Sequence, residues 1–240
     1  VWIVNDNPTA DSDYRCLLEV NPAHPGQLPY YLMPDVTNTN LQVFDNDGNI
    51  WLTNYRNSLY KFDVTSHQYQ KYTYPSASVY QMPEDIDFDS SGNIWMVLYG
   101  YGSGANLLVK YNPASGDYQE VNMGFSGAGY LCVDSKDEVW VADSATHSIN
   151  RTDGVSVLDV FDRGYYYIFG LKAALDGSVW SSECWFKGMD DNEARISHFI
   201  TATGPTDISL SNAAIAENLP AGTVVGILSA DDPDTTDGFT

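Results

Sequence analysis

The sequence predicts an all-β fold: a partial β-propeller of about five four-stranded blade units, followed by a short β-rich segment of different texture. Two observations carry this. Tryptophan returns at nearly constant spacing, as Trp2, Trp51, Trp95, Trp140 and Trp180, with intervals of 49, 44, 45 and 40 residues. The last four each close the same phrase: Asp45-Asn-Asp-Gly-Asn-Ile-Trp51, Asp89-Ser-Ser-Gly-Asn-Ile-Trp95, Asp134-Ser-Lys-Asp-Glu-Val-Trp140 and Ala174-Leu-Asp-Gly-Ser-Val-Trp180. A period in the forties, filled with β-formers and turn residues, marks four-stranded sheets stacked around a centre. No 3.6-residue apolar period survives over three turns, so no long amphipathic helix is expected.

The elements follow in order. Unit one opens inside strand b, with Trp2, and has residues 16–20 as strand c; it lacks strand a. Unit two places Trp51 in strand b, 58–62 in c and 67–72 in d. Unit three shows the whole plan: 85–89 as a, a turn at 90–93 where Gly92 supplies positive φ, 94–98 as b, 107–111 as c and 117–121 as d. Unit four repeats it with Trp140, 148–151 and 155–160. Unit five has Trp180 and 194–198, and no strand d before the period stops. The tryptophans are expected to fill the space between blades. The phrase at Asp45 is a turn and not an EF-hand, because Gly48 stands fourth rather than sixth and Arg56 occupies position twelve.

Composition narrows the function. Lys and Arg number 11 against 32 Asp and Glu, a formal charge of -21. Phosphate recognition needs a basic footprint, so nucleic acid is not expected as a partner, nor is an anionic membrane surface. No apolar run approaches a membrane span. Cys16, Cys132 and Cys184 are odd in number and lack a CxxC or Cys/His cluster, which argues against a disulfide framework and structural zinc. The chain starts Val-Trp-Ile-Val, in mid-strand and without Met, which reads as an internal piece of a longer protein.

Residues 1–201 are expected to form the propeller part, 202–205 a linker, and 206–240 the opening of a second domain. The repeated Asp-x-x-Gly-x-(Ile/Val)-Trp phrase, with Lys or Arg in strand c, resembles the streptogramin-lyase, sugar-lactone-lyase and two-component-regulator group of propellers. That group includes lyases, lactonases and sensors, so the resemblance implies a fold more than an activity. The final stretch, with Pro205-Thr-Asp-Ile, Ala216-Glu-Asn218, Gly222-Thr-Val-Val-Gly226 and Ala230-Asp-Asp-Pro-Asp234, resembles a bacterial cadherin-like repeat of Ig-like sandwich form. The resemblance implies Ca²⁺ ligands at Glu217, Asp232 and Asp234, an incomplete set within these residues; hard carboxylate oxygens at flexible spacing suit that ion.

Strand order also locates a ligand face. In a meander the b–c and d–a connections leave one side of the disc. The b–c segments vary: from Trp to the basic residue of strand c is 10 residues to Lys61, 15 to Lys110, 11 to Arg151 and 15 to Arg195. Variable insertions collect on a binding face. It is expected to carry Tyr99, Tyr101, Tyr165, Tyr166 and Trp185, suited to a sugar ring or a protein surface. Candidate catalytic groups are Glu183, Asp143 and His147. Metal-assisted lactone hydrolysis would want the two acids converging on the axis with a third ligand. Lyase chemistry would want a His base near a Glu, and none of His24, His67, His147 and His198 is spaced as the lyase pattern asks. The expectation is a non-enzymatic extracellular binding or adhesion module of a bacterial surface or secreted protein, with carbohydrate or protein partners and calcium in the cadherin-like part. A metal-dependent propeller hydrolase or lyase is the alternative, and a sensor ectodomain the next.

Overall fold

A computed structural model describes residues 1–6, 15–24, 26–33, 42–54, 57–75, 81–100, 106–121, 124–125, 127–186, 192–200, 207–211, 220, 223–224 and 227–231. Over these residues the protein is all-β, without a helix. Blade one holds β1 (Trp2–Asp6), β2 (Arg15–Glu19) and β3 (Tyr30–Leu32). Blade two holds β4 (Gln42–Phe44), β5 (Ile50–Asn54), β6 (Ser58–Asp63) and β7 (Gln68–Thr73). Blade three holds β8 (Gln81–Phe88), β9 (Ile94–Gly100), β10 (Leu107–Tyr111) and β11 (Tyr118–Val121). Blade four holds β12 (Ala128–Val133), β13 (Val139–Asp143), β14 (Ser148–Thr152) and β15 (Val157–Asp162). Blade five holds β16 (Tyr167–Ala173), β17 (Val179–Phe186) and β18 (Asn192–Phe199). Each sheet is an antiparallel meander in chain order, and the inner strand β12 packs against both β8 and β16. Residues 1–199 form one compact unit and 200–240 a second. In the second, β19 (Asp207–Leu210) pairs with β20 (Leu228–Asp231) as one antiparallel pair.

The repeated phrase is one hydrogen-bonded device. Asp45 Oδ1 accepts the amides of Asp47 and Asn49 at 3.1 and 2.8 Å, closing the a–b turn around Gly48 at φ 82°. Its Oδ2 accepts the Trp51 indole N–H at 2.9 Å and pairs with Lys61 Nζ at 2.8 Å. Blade three repeats this with Asp89, Trp95 and Lys110. In blade four Asp134 takes the Trp140 indole at 2.8 Å, and the positive-φ position falls to Asp137 at 62°. A side chain at positive φ is strained, but this one is used: Asp137 accepts Ser90 N and Ser90 Oγ of the neighbouring turn at 2.7 and 2.6 Å.

Each covered indole meets the next blade. Trp51 packs against Ile86, Ile94 and Met96, Trp95 against Leu131 and Val133, and Trp140 against Ile168, Leu171 and Phe199. Trp51, Trp95 and Trp140 are buried, whereas Trp180 is 43% exposed. The middle strand β13 is buried at all five positions, while the outer strand β15 is largely exposed.

Two expectations are corrected. Strand d of blade four starts at Val157, because Asp153 Oδ1 accepts the amides of Val155 and Ser156 at 2.8 and 2.7 Å and holds them in the turn. The basic residue of strand c in blade five, Arg195, does not face the tryptophan as its counterparts in blades two to four do. Register sets Trp51 opposite Lys61, Trp95 opposite Lys110 and Trp140 opposite Arg151, but Trp180 opposite His198. The His198 ring stacks on Trp180 at 4.1 Å, and Arg195 lies three residues earlier, opposite Glu183.

Candidate functional site at the end of blade five

Alternation along β17 turns Val179, Ser181 and Glu183 inward and Trp180 and Ser182 outward. Glu183 is only 2% exposed, and it is fully engaged. Arg195 Nε, directly across the ladder, donates to its Oε2 at 2.6 Å. Arg163 Nε, from the connection before β16, donates to both oxygens at 3.2 and 3.3 Å. Ser181 Oγ donates to Oε1. Arg163 Nη2 also donates to Ser197 Oγ at 2.7 Å, and Arg195 Nη2 to the Arg163 carbonyl at 3.3 Å. Burial alone would raise the Glu183 pKa. Hydrogen bonds from Ser181, Arg195 and Ser197 and the Arg163 charge outweigh it and hold the carboxyl below its ordinary range. An ionised carboxylate gripped by two guanidiniums is an anchor rather than a base.

The anchor fixes an aromatic surface. The Arg195 guanidinium lies 3.5 Å from the Tyr166 ring centre. Tyr166 and Trp185 sit at 6.0 Å, tilted, and Tyr165 stacks on Trp185 at 5.7 Å with 21° between planes. Tyr165 is 71% exposed. Blade four closes the other side. His147, in the b–c turn at φ 52°, places Nδ1 3.3 Å from the Tyr166 carbonyl, its ring edge against Tyr167 at 4.8 Å. Arg163 N donates to the His147 carbonyl at 2.8 Å.

Tyr165, Tyr166, Trp185, Glu183 and His147 therefore belong to one cluster across blades four and five. Asp143 has a different role. It is 2% exposed at the end of β13, and its Oδ1 accepts the amides of Ala145 and Thr146 at 2.9 and 3.4 Å. The turn it closes presses on Gly127, where a Cβ would meet Ala145 N at 2.6 Å, so only glycine fits. Tyr99 lies in β9, with its side chain outside the description. Tyr101, Glu217, Asp232 and Asp234 lie outside the described residues. Among the described residues no three His, Cys, Asp or Glu side chains gather as a metal centre. Sequence reasoning missed the ion network of Arg163, Arg195, Ser181 and Ser197. Spacing gave no signal, because Arg195 stands 15 residues after Trp180 just as Lys110 stands 15 after Trp95, and only ladder register separates their roles.

No protein-family model matches the sequence, and no curated protein sequence matches it. Solved structures do resemble it. A streptogramin B lyase matches with TM-score 0.57 and 17% identity, covering 82% of this chain and 66% of that one. Virginiamycin B lyase from Staphylococcus aureus matches with TM-score 0.55 and 16% identity, covering 76% of this chain. A gluconolactonase from Xanthomonas campestris matches with TM-score 0.55 and 14% identity, over 76% of this chain and 71% of that one. The extracellular domain of BT4673 from B. thetaiotaomicron, assigned as a hybrid two-component system, matches with TM-score 0.54 and 12% identity, over 82% of this chain and 27% of that one. The chain spans less than two thirds of the length of those lyases, 62% for the staphylococcal enzyme and 66% for the other. At such identities the likeness establishes architecture alone, and with the four-stranded meanders and the buried indoles between them it makes this chain a β-propeller.

Proposed function

We propose that this chain is a non-catalytic extracellular binding module that presents the blade-five aromatic surface to a carbohydrate. The observation that carries the reading is the Tyr165–Trp185 stack, flanked by Tyr166 and held from below by the Glu183–Arg195–Arg163 network. Flat apolar faces with polar groups at their rim suit sugar rings, and a surface fixed in advance loses little entropy on binding. A protein surface is the competing partner. Two structural neighbours that are extracellular domains support display outside the cell, alone or ahead of a signalling module. The test is titration of the whole chain with immobilised glycans. Trp185→Ala should weaken binding about tenfold, since one aromatic stacking contact contributes about 1 kcal/mol or more. Binding only to proteins, with the glycans inert, would rule out the carbohydrate reading.

A second reading is favoured by His147, whose Nδ1 reaches the Tyr166 carbonyl from blade four while Arg195, paired with Glu183, stacks on the Tyr166 ring from blade five. A hydrolase or lyase built there would use the imidazole as base, and turnover of a lactone or of streptogramin B that is lost in His147→Ala would establish it. In the second unit we infer Ca²⁺ at Glu217, Asp232 and Asp234, supported by the carboxylate pattern. With the set incomplete within these residues the ion should bind only weakly here, and a parent that takes up no more Ca²⁺ in millimolar equilibrium dialysis than a variant with all three acids changed to alanine, in a protein extended past residue 240, would remove the inference.

A further inference from the structure

The carbohydrate reading leaves open which sugar the platform takes, and the charges around it are unusual for this chain. The molecule carries -21 overall with only 11 basic residues, yet two of its arginines meet beside the exposed aromatic stack. They share one buried carboxylate, Glu183, so that group offsets only one of the two charges. Arg195 is positioned to present the remainder. Its Nε and Nη2 are turned inward to Glu183 Oε2 and the Arg163 carbonyl, and its side chain is 35% exposed at the rim of Tyr166. A guanidinium fixed on one edge and exposed on the other recognises a planar carboxylate, and the aromatic stack beside it recognises the ring that bears it.

We propose, resting on the carbohydrate reading, that the blade-five platform binds an oligosaccharide with one carboxylated ring, a uronic acid, seated at Tyr165, Trp185 and Arg195. The rest of the glycan is neutral. A polyanion would meet the repulsion of a protein with a net charge of -21, felt over about 8 Å at physiological salt.

The experiment is calorimetric titration of the whole chain with a xylo-oligosaccharide bearing one glucuronosyl branch, and with the same oligosaccharide bearing a glucosyl branch. The two ligands differ only in the carboxylate. The glucuronosyl form should bind about tenfold tighter, the gain of one charge-assisted hydrogen-bonded pair. Arg195→Gln should remove that preference, weakening the glucuronosyl form more than the glucosyl form, whose smaller loss reports the loosened Tyr166 rim, whereas Trp185→Ala should weaken both alike. If the glutamine variant loses its fold, Arg195→Lys keeps a charge against Glu183 and should reduce the preference. Equal binding of the two ligands overturns this inference and leaves the carbohydrate reading standing. No binding of either, or of any other glycan, overturns both. Tighter binding of polygalacturonate than of the branched ligand, or acid binding unmoved by Trp185→Ala, also overturns it.

Discussion

A single carboxylate joins turn and indole in each complete blade, and in blades two and three it also pairs with the lysine of the third strand. Asp134 shows how much rests on it. Its Oδ1 accepts the amides of Lys136 and Glu138 at 2.8 and 3.1 Å, and its Oδ2 accepts the Trp140 indole N–H, on a side chain with no exposed surface. Asp134→Ala would leave a buried donor unmet and open the turn. The expected cost is about 2–4 kcal/mol, seen as a lower urea midpoint at unchanged slope. Asp134→Asn keeps one acceptor oxygen and should fall between. Blade five supplies the natural contrast. Ala174 replaces the aspartate, and the Trp180 indole turns to Ser178 Oγ at 3.1 Å, itself bound to Asp176. With that indole exposed, Ser178→Ala should cost less than about 1 kcal/mol in the same measurement.

At the scale of strands, neighbouring blades are tied near the axis by acids as well as by packing. Asp85 and Asp87 of β8 accept the amides of Leu131 and Val133 of β12, at 3.0 and 3.1 Å. Burial pushes the Asp85 carboxyl up to about 7; hydrogen bonds from Leu131 and Ile86 lower it, Asp87 raises it further, and Lys172 lowers it slightly. A carboxyl raised in the folded state binds its proton more tightly folded than unfolded. Its contribution therefore favours folding at low pH and declines as pH rises from about 4 to about 7, above which it is constant. Asp85→Asn mimics the protonated acid. The variant should match the parent only below about pH 4, pull ahead of it as pH rises towards 7, and exceed it at pH 8 by on the order of 4 kcal/mol, or many degrees in Tm. A parallel pH profile for both proteins would show that Asp85 titrates normally.

Across the whole molecule, the blade plan was legible because the Asp–Trp phrase recurs in sequence where it recurs in space. The site was legible only in part. Tyr165, Tyr166, Trp185 and Glu183 stand near one another in the chain, but their union with Arg195 depends on ladder register, which the uneven b–c connections hide. The same repetition reveals what the two ends of the arc lack. In blade four Trp140, Ala142 and Ile149 are fully buried beneath the next blade. The corresponding Trp180 and Ile196 of blade five are 43% and 73% exposed, around a cavity of about 420 Å³ lined by Phe169, Ser182, Ala194 and Ile196. Blade one presents the opposite kind of face, with Ile3 44% and Leu32 53% exposed, where blade two buries Leu52. Among the described residues, apolar side chains of the kind that pack at every internal junction are thus exposed on both blade one and blade five. Burying a large apolar side chain stabilises by about 1.5–3 kcal/mol, so this chain on its own should associate head to tail as concentration rises, through a heterologous contact. Sedimentation velocity across a dilution series should show it. Ile196→Lys should keep the protein monomeric, with its unfolding midpoint within about 0.5 kcal/mol of the parent, because the side chain is already in water. A parent that sediments as a monomer at every concentration would show that these faces do not recognise one another.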